Sequence, residues 1–253
     1  MRRKARWRML NEQTDRKLRA MMLTGMAEGY AEQGRQAAMA ELSFDERLGL
    51  LVDRQWTYRE DRALSARLRH AKFKLSACLE EVSYPAARGL KRSQVDALAD
   101  SRWIEYHQNV IVTGPTGTGK TFLACALGQK VCRDGHPVRY FVAGKLFRTL
   151  SAAHADGSYL RLTSQLQKTG LLIIDDWGLE KLQEHQYRDF LELLDDRQGT
   201  GATLLTSQFP IKIWHDTIGN PTVADAILDR LIHNAHHLEL KGESMRSRQN
   251  KSE

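Results

Sequence analysis

No run of about eighteen apolar residues occurs in this 253-residue chain, so nothing in it reads as a membrane-spanning helix. The basic N-terminus is not followed by an apolar segment, so no secretion signal is expected either. Cysteine is scarce. Cys78, Cys125 and Cys132 have no metal-ligand spacing, and Cys125 and Cys132 share one helical face, as core residues do. Three thiols without a disulfide framework fit a reducing compartment, and the expected location is the cytoplasm, with no membrane partner. No Ser/His/Asp or Cys/His arrangement stands out. His233, His236 and His237 lack a carboxylate or cysteine to complete a metal site. Internal repeats and low-complexity tracts are also missing.

The chain has an excess of positive charge, +7 overall, and it is uneven. Residues 1–108 carry 21 Lys/Arg against 15 Asp/Glu, whereas residues 109–253 carry 17 against 16. A basic arm on a near-neutral core points to a polyanion, most simply nucleic acid; the plainer reading is a solvated helical surface. Within the arm, residues 59–79 place Leu64, Leu68, Ala71 and Leu75 at helical spacing. Arg59, Arg62, Arg67, Arg69, Lys72 and Lys74 crowd the other faces and are the candidate DNA contacts. No recognition-helix pattern is visible, so little sequence readout is expected.

The chain is organised around Gly114-Pro115-Thr116-Gly117-Thr118-Gly119-Lys120-Thr121, a full match to the P-loop pattern. A short apolar run precedes it and an apolar helical run comes after, which is the strand–loop–helix context the motif requires. Glycines let backbone N–H groups converge on phosphate, and the helix N-terminus adds partial positive charge. Lys120 is expected on the terminal phosphates of ATP and the Thr121 hydroxyl on Mg²⁺.

Leu171-Leu172-Ile173-Ile174-Asp175-Asp176 reads as a Walker B strand. Asp175 is expected to hold Mg²⁺ and Asp176 to orient the attacking water. Thr203-Leu204-Leu205-Thr206-Ser207-Gln208 is a strand running into polar residues; Gln208, or Ser207, is placed to sense the terminal phosphate. Asp225–Leu231 is an amphipathic helix whose Arg230 is either salt-bridged or projects toward a neighbouring subunit's phosphates.

Five segments divide the chain. Residues 1–8 read as a basic disordered extension, with Met9 an alternative start. Residues 9–80 form an all-α N-terminal domain, helical over 14–40 with a break at Gly25. A capping box of Ser43 and Glu46 opens the next helix, with Phe44, Leu48, Leu51 and Val52 on one face. Residues 81–108 are a connector, docked by Trp103 and Ile104. Residues 109–246 are an α/β domain and 247–253 a tail. The domain's strands are expected at 110–113, 138–142, 171–175, 202–207 and 236–240, and its helices at 120–133, 144–154, 184–197 and 222–234.

Taken together, these motifs, the closing Leu240–Arg246, and the arm segments Leu23–Glu28 and Glu41–Leu48 resemble the IstB-like family. These are transposition helper ATPases of bacterial insertion sequences, close to DnaC-type helicase loaders. The resemblance implies a P-loop AAA+ core with strand order 5-1-4-3-2 and a homo-oligomer on duplex DNA of little sequence preference. It also implies a transposase partner. By position it implies ATP and Mg²⁺ residues at Lys120, Thr121, Asp175 and Asp176, a sensor at Gln208, a finger acting in trans at Arg230 and a second sensor at Arg246. Two departures stand out. Asp176 replaces the usual Glu, which implies slow hydrolysis, and too few residues lie beyond Arg230 for a helical lid. The expected function is therefore an ATP-dependent DNA-binding regulator of transposition with weak ATPase activity. A helicase loader is the alternative. A small-molecule P-loop kinase is further off, since neither an acceptor pocket nor an arginine-rich lid is visible.

Overall fold

The computed structural model describes residues 2–245, which divide into two compact units after Ala66. The first contains α1 (Arg2–Ala20), α2 (Thr24–Gln33), a 3-10 turn (Ala37–Ala40) and most of α3 (Phe44–Ala71). Three sequence expectations change here. The backbone of residues 2–8 continues α1 and is not an extension, in keeping with a stretch that has no Gly or Pro. The expected break falls at residues 21–23, between α1 and α2, and Gly25 itself is the second residue of α2. A Cβ there would stand 2.7 Å from Tyr58 Cβ and 2.8 Å from the Arg54 carbonyl, so the glycine admits α3 at close range. The two expected helices after Ser43 are one, because nothing between Leu50 and Ala71 interrupts it.

The capping box is formed. The Ser43 amide donates to Glu46 Oε2 at 2.7 Å and the Glu46 amide to Ser43 Oγ at 3.3 Å. Arg54 pairs with Glu32 at 2.9 Å, and the Met26 amide donates to Gln55 Oε1 at 3.1 Å, tying α2 to α3. Of the expected apolar face, Leu51 packs near Gly29, whereas Phe44, Leu48 and Val52 are exposed.

The second unit starts with the last turn of α3. Residues 81–108 are not a free connector but part of this unit. Val82, Leu90, Val95, Leu98, Trp103 and Ile104 are all buried, and Trp103 Nε1 donates to the Leu98 carbonyl at 2.9 Å. This stretch holds α4 (Arg92–Ala99) and α5 (Arg102–Glu105). The unit boundary therefore falls earlier than the expected 80–100, because apolar side chains throughout 81–108 find a core.

Five parallel strands come next: β1 (Asn109–Thr113), β2 (Val138–Val142), β3 (Leu171–Trp177), β4 (Ala202–Ser207) and β5 (Ala235–Glu239). Their order is β2-β3-β4-β1-β5, the order the resemblance implies. Helices α6 (Lys120–Arg133), α7 (Ala143–Asp156), α8 (Tyr159–Gln167), α9 (Glu184–Arg197), α10 (Trp214–Ile218) and α11 (Pro221–Ile232) connect them. One face of the sheet, with Ile111, Leu172, Ile174 and Leu205, joins α7, α9, α10 and α11 in one core through Phe147, Phe190, Trp214 and Ile227. On the other face α6 comes close enough that a Cβ on Gly128 would meet Ile173 Cδ1 at 2.7 Å. Covered on both faces, the central strands β3 and β4 carry the continuous buried runs Leu171–Ile174 and Ala202–Leu205. Crossovers of this kind put the carboxyl ends of β1, β3 and β4 side by side, where ligands bind in open parallel sheets.

Candidate nucleotide site

The P-loop lies between β1 and α6. Gly114, Gly117 and Gly119 all have positive φ, at 147°, 84° and 89°. Space is as restrictive as conformation. A Cβ on Gly114 would stand 2.2 Å from the Leu240 carbonyl oxygen, and one on Gly117 would stand 2.1 Å from Ser244 Oγ. The closing segment holds the loop by its backbone. The Leu240 amide donates to the Thr113 carbonyl at 2.7 Å and the Met245 amide to the Gly117 carbonyl at 2.9 Å.

Lys120 is buried at the start of α6. Its Nζ donates to the Gly114 and Pro115 carbonyls at 2.7 and 2.9 Å. Burial pulls its pKa down, and nearby Asp176 and Asp175 oppose that. The Thr121 hydroxyl donates to Asp175, 2.9 Å from Oδ2 and 3.1 Å from Oδ1.

Asp175 is fully buried at the end of β3. Two residues without a motif signal complete its shell. Tyr140 Oη donates to Oδ2 at 2.6 Å and Thr206 Oγ1 to Oδ1 at 2.5 Å. The Tyr140 phenol has its pKa pushed far up by burial first, then by its bond to Asp175. The register of β3 against β4 shifts between Ile174 and Trp177, and Asp176 within that bulge has φ +60°. A bulge re-aims side chains next to sites of this kind, and Asp tolerates the left-handed region. Asp176 thus borders the cavity, and its amide donates to Thr206 Oγ1 at 3.1 Å.

Lys120, Thr121 and Asp176 line a cavity of about 870 Å³ with Thr116, Gly117 and Gln208. Gln208 Oε1 accepts from Thr116 Oγ1 at 2.8 Å, which puts it against the loop. Ser207 is committed elsewhere, donating to the Trp177 carbonyl at 2.8 Å. The glycine cradle, the buried ammonium and the paired hydroxyl and carboxylate oxygens fit a nucleotide triphosphate with a hard divalent cation such as Mg²⁺.

Other expected site residues are placed differently. Lys74 is not a free DNA contact. Its Nζ lies 3.8 Å from Asp175 Oδ2 and 3.6 Å from Asp176 Oδ2, drawn there by two acids with one basic neighbour on the loop. Arg67 is also engaged, with Nε donating to the Cys132 carbonyl at 2.8 Å. Arg59, Arg62, Arg69 and Lys72 are exposed. Arg230 is remote from the P-loop. It pairs with Asp195, its Nη1 donates to the Ala226 carbonyl at 2.8 Å, and its own carbonyl accepts from Asn109 at the amino end of β1. His236 contacts Gln108 at 2.9 Å. Arg246 lies outside the described residues.

Sequence reasoning missed Tyr140, Thr206 and also Arg88. The buried Arg88 guanidinium donates to the Thr118 carbonyl on the P-loop at 3.1 Å. Thr206 carried a faint signal, a hydroxyl at the end of an apolar strand; Tyr140 and Arg88 carried none.

The model for the family described as IstB-like ATP binding protein matches residues 16–253. An insertion sequence ATP-binding protein of Sinorhizobium fredii is 49% identical over 241 residues, covering 95% of this chain and 98% of that one. A counterpart in Mycobacterium tuberculosis is 34% identical over 232 residues, covering 91% and 92%. Among solved structures, AMPPCP-bound DnaA of Aquifex aeolicus has a TM-score of 0.58 at 17% identity, covering 72% of this chain and 55% of that one. The DnaC helicase loader has a TM-score of 0.54 at 19% identity, covering 64% and 95%. At such identities the likeness is one of fold, the P-loop AAA+ fold.

Proposed function

We propose a function from one premise: the chain belongs to the family of IstB-like ATP binding proteins, whose relatives here are named for insertion sequences. Its role is that of a helper in transposition. It binds ATP with Mg²⁺, assembles on duplex DNA with little sequence preference, and works with a transposase. The observation that carries this is that Lys120, Thr121 and Asp176 line one cavity at the carboxyl ends of the strands, with the buried Asp175 accepting from the Thr121 hydroxyl.

Each residue has a distinct task. The loop amides and Lys120 bind and orient the phosphates, for which Lys120 must exchange its two carbonyl partners. Thr121 and Asp175 would hold Mg²⁺, which neutralises charge on the phosphates when bound. Asp175 has its geometry fixed by Tyr140 and Thr206. Asp176 orients the attacking water, and its short side chain makes hydrolysis slow. Gln208 reports the terminal phosphate to β4. Arg230 cannot serve its own site from the amino end of β1, which supports action on a neighbouring copy. Arg59, Arg62 and Arg69 on the exposed side of α3, with Lys72 after it, track DNA phosphates.

The test is binding of random-sequence duplex DNA by the full chain, with and without ATP·Mg²⁺, across a salt series, beside Lys120→Ala. Binding that requires ATP·Mg²⁺, weakens steeply with salt and is lost in Lys120→Ala is the expected result. Absence of DNA binding under every condition would overturn the DNA reading, leaving nucleotide binding intact.

A further inference from the structure

Arg88 is 4% exposed, and no carboxylate pairs with it among the described residues. Its Nη1 donates to the Ser83 carbonyl at 2.6 Å, its Nε to the Thr118 carbonyl at 3.1 Å, and its Nη2 reaches the Gly119 carbonyl at 3.5 Å. The approach is tight. A Cβ on Gly119 would stand 2.7 Å from Nη2. Burial lowers the guanidinium's pKa, the ordinary consequence of a charge without a counterion. A buried charge of this kind is expensive to keep, so a compensating anion is expected close by.

Peptide geometry says what the contacts accomplish. In a trans peptide the C=O and N–H point in opposite directions. The Thr118 carbonyl shares its peptide with the Gly119 N–H, and the Gly119 carbonyl shares its peptide with the Lys120 N–H. Holding both carbonyls on the guanidinium turns both N–H groups away from it. Those two groups lie at the start of α6, where a phosphate would accept from them. A cation on the carbonyl side also polarises each peptide, strengthening the N–H as a donor.

We propose that Arg88 is a positioning residue of the phosphate subsite. It fixes the Gly119 and Lys120 peptides with their N–H groups toward the phosphates and places a permanent positive charge behind them. The ligand class is a di- or triphosphate. The inference rests on reading Gly114–Thr121 as a phosphate site, and it assigns to that site a residue outside the loop and its motif.

The experiment uses the full chain with Arg88→Gln and Arg88→Lys, and the probes are ADP and inorganic pyrophosphate, measured by calorimetry. The unfolding temperature without ligand reports whether each variant is folded. Arg88→Gln is expected to weaken both probes by the same factor, about tenfold or more, since charge-assisted hydrogen bonds are each worth that much. Arg88→Lys, which keeps the charge, loses less. A folded Arg88→Gln that binds pyrophosphate within twofold of wild type overturns the proposal and leaves Arg88 a structural strut. If Arg88→Gln does not fold, Arg88→Lys decides. A loss as large as that of Lys120→Ala overturns the role of the charge. Wild-type protein that binds neither probe would instead sink the phosphate reading itself.

Discussion

Tyr140→Phe isolates the network around Asp175. The substitution removes one oxygen and leaves the ring in place within β2, so no cavity contributes. The lost bond is a 2.6 Å contact to a carboxylate with no exposure to water. Thr121 and Thr206 remain as donors, so the carboxylate is under-solvated but not abandoned. Hydrogen bonds to charged groups contribute about 1.5–3 kcal/mol, so a loss of about 2 kcal/mol is expected. For a protein of this size that is a fall of about 4–8 °C in the unfolding temperature. The assay is urea and thermal unfolding of both proteins without nucleotide. The alkaline limb adds a second, independent signature. Folding raises the phenol's pKa, so above pH ~10 the folded state keeps a proton that the unfolded state releases. Tyr140 therefore makes stability fall with rising pH there, and Tyr140→Phe flattens that fall. A stability change below about 0.5 kcal/mol, with an unchanged alkaline slope, would refute the placement of Tyr140 on Asp175.

Gly114→Ala meets both a φ of +147° and a carbonyl oxygen 2.2 Å from the new methyl, so the loop must move. Loss of ADP binding with the chain still folded is the expected calorimetric result. Lys74→Met removes a cation that competes for Asp175 and Asp176. A half-exposed pair is worth at most about 1 kcal/mol, so a Mg²⁺ titration of the nucleotide-bound protein is expected to shift to tighter binding by up to about fivefold. DNA affinity should stay within twofold, whereas Arg62→Ala should lower it and reduce the salt dependence. Arg230→Ala is expected to slow hydrolysis in the assembled protein and leave ADP affinity unchanged; unchanged hydrolysis would rule out its action in trans. Cys125 and Cys132 are buried, with the Cys132 thiol pushed up to about 11, while Cys78 is half-buried. Alkylation at neutral pH should therefore modify Cys78 first, and all three cysteines only after denaturation.

The strands were the most legible part of the sequence. Val138–Val142 and Ala202–Ser207 were placed to the residue, and so were the helices Lys120–Arg133 and Glu184–Arg197. Buried parallel strands are short apolar runs between turn signals, and the helices between them have clear apolar faces. The loop and its two acids were legible because their spacing is set by phosphate and metal geometry. Helix α8 escaped notice because its nine residues bury only Tyr159, Thr163 and Leu166. Tyr140 and Thr206 are 35 and 31 residues from Asp175, and only the order β2-β3-β4 brings them to it. Lys74 looked like its basic neighbours on a helical stripe. The helix ends at Ala71, and Lys72 takes a left-handed conformation that redirects the chain beyond it. No local pattern announces that turn.

The segment from Leu240 to Met245 has a kinetic consequence. It is made more than a hundred residues after the P-loop it grips, and contacts of such long sequence separation form late. Until it docks, the Thr113, Gly117 and Arg88 carbonyls lack the amides of Leu240, Met245 and Lys241. A chain emerging from the ribosome therefore carries its nucleotide loop long before that loop is held in shape.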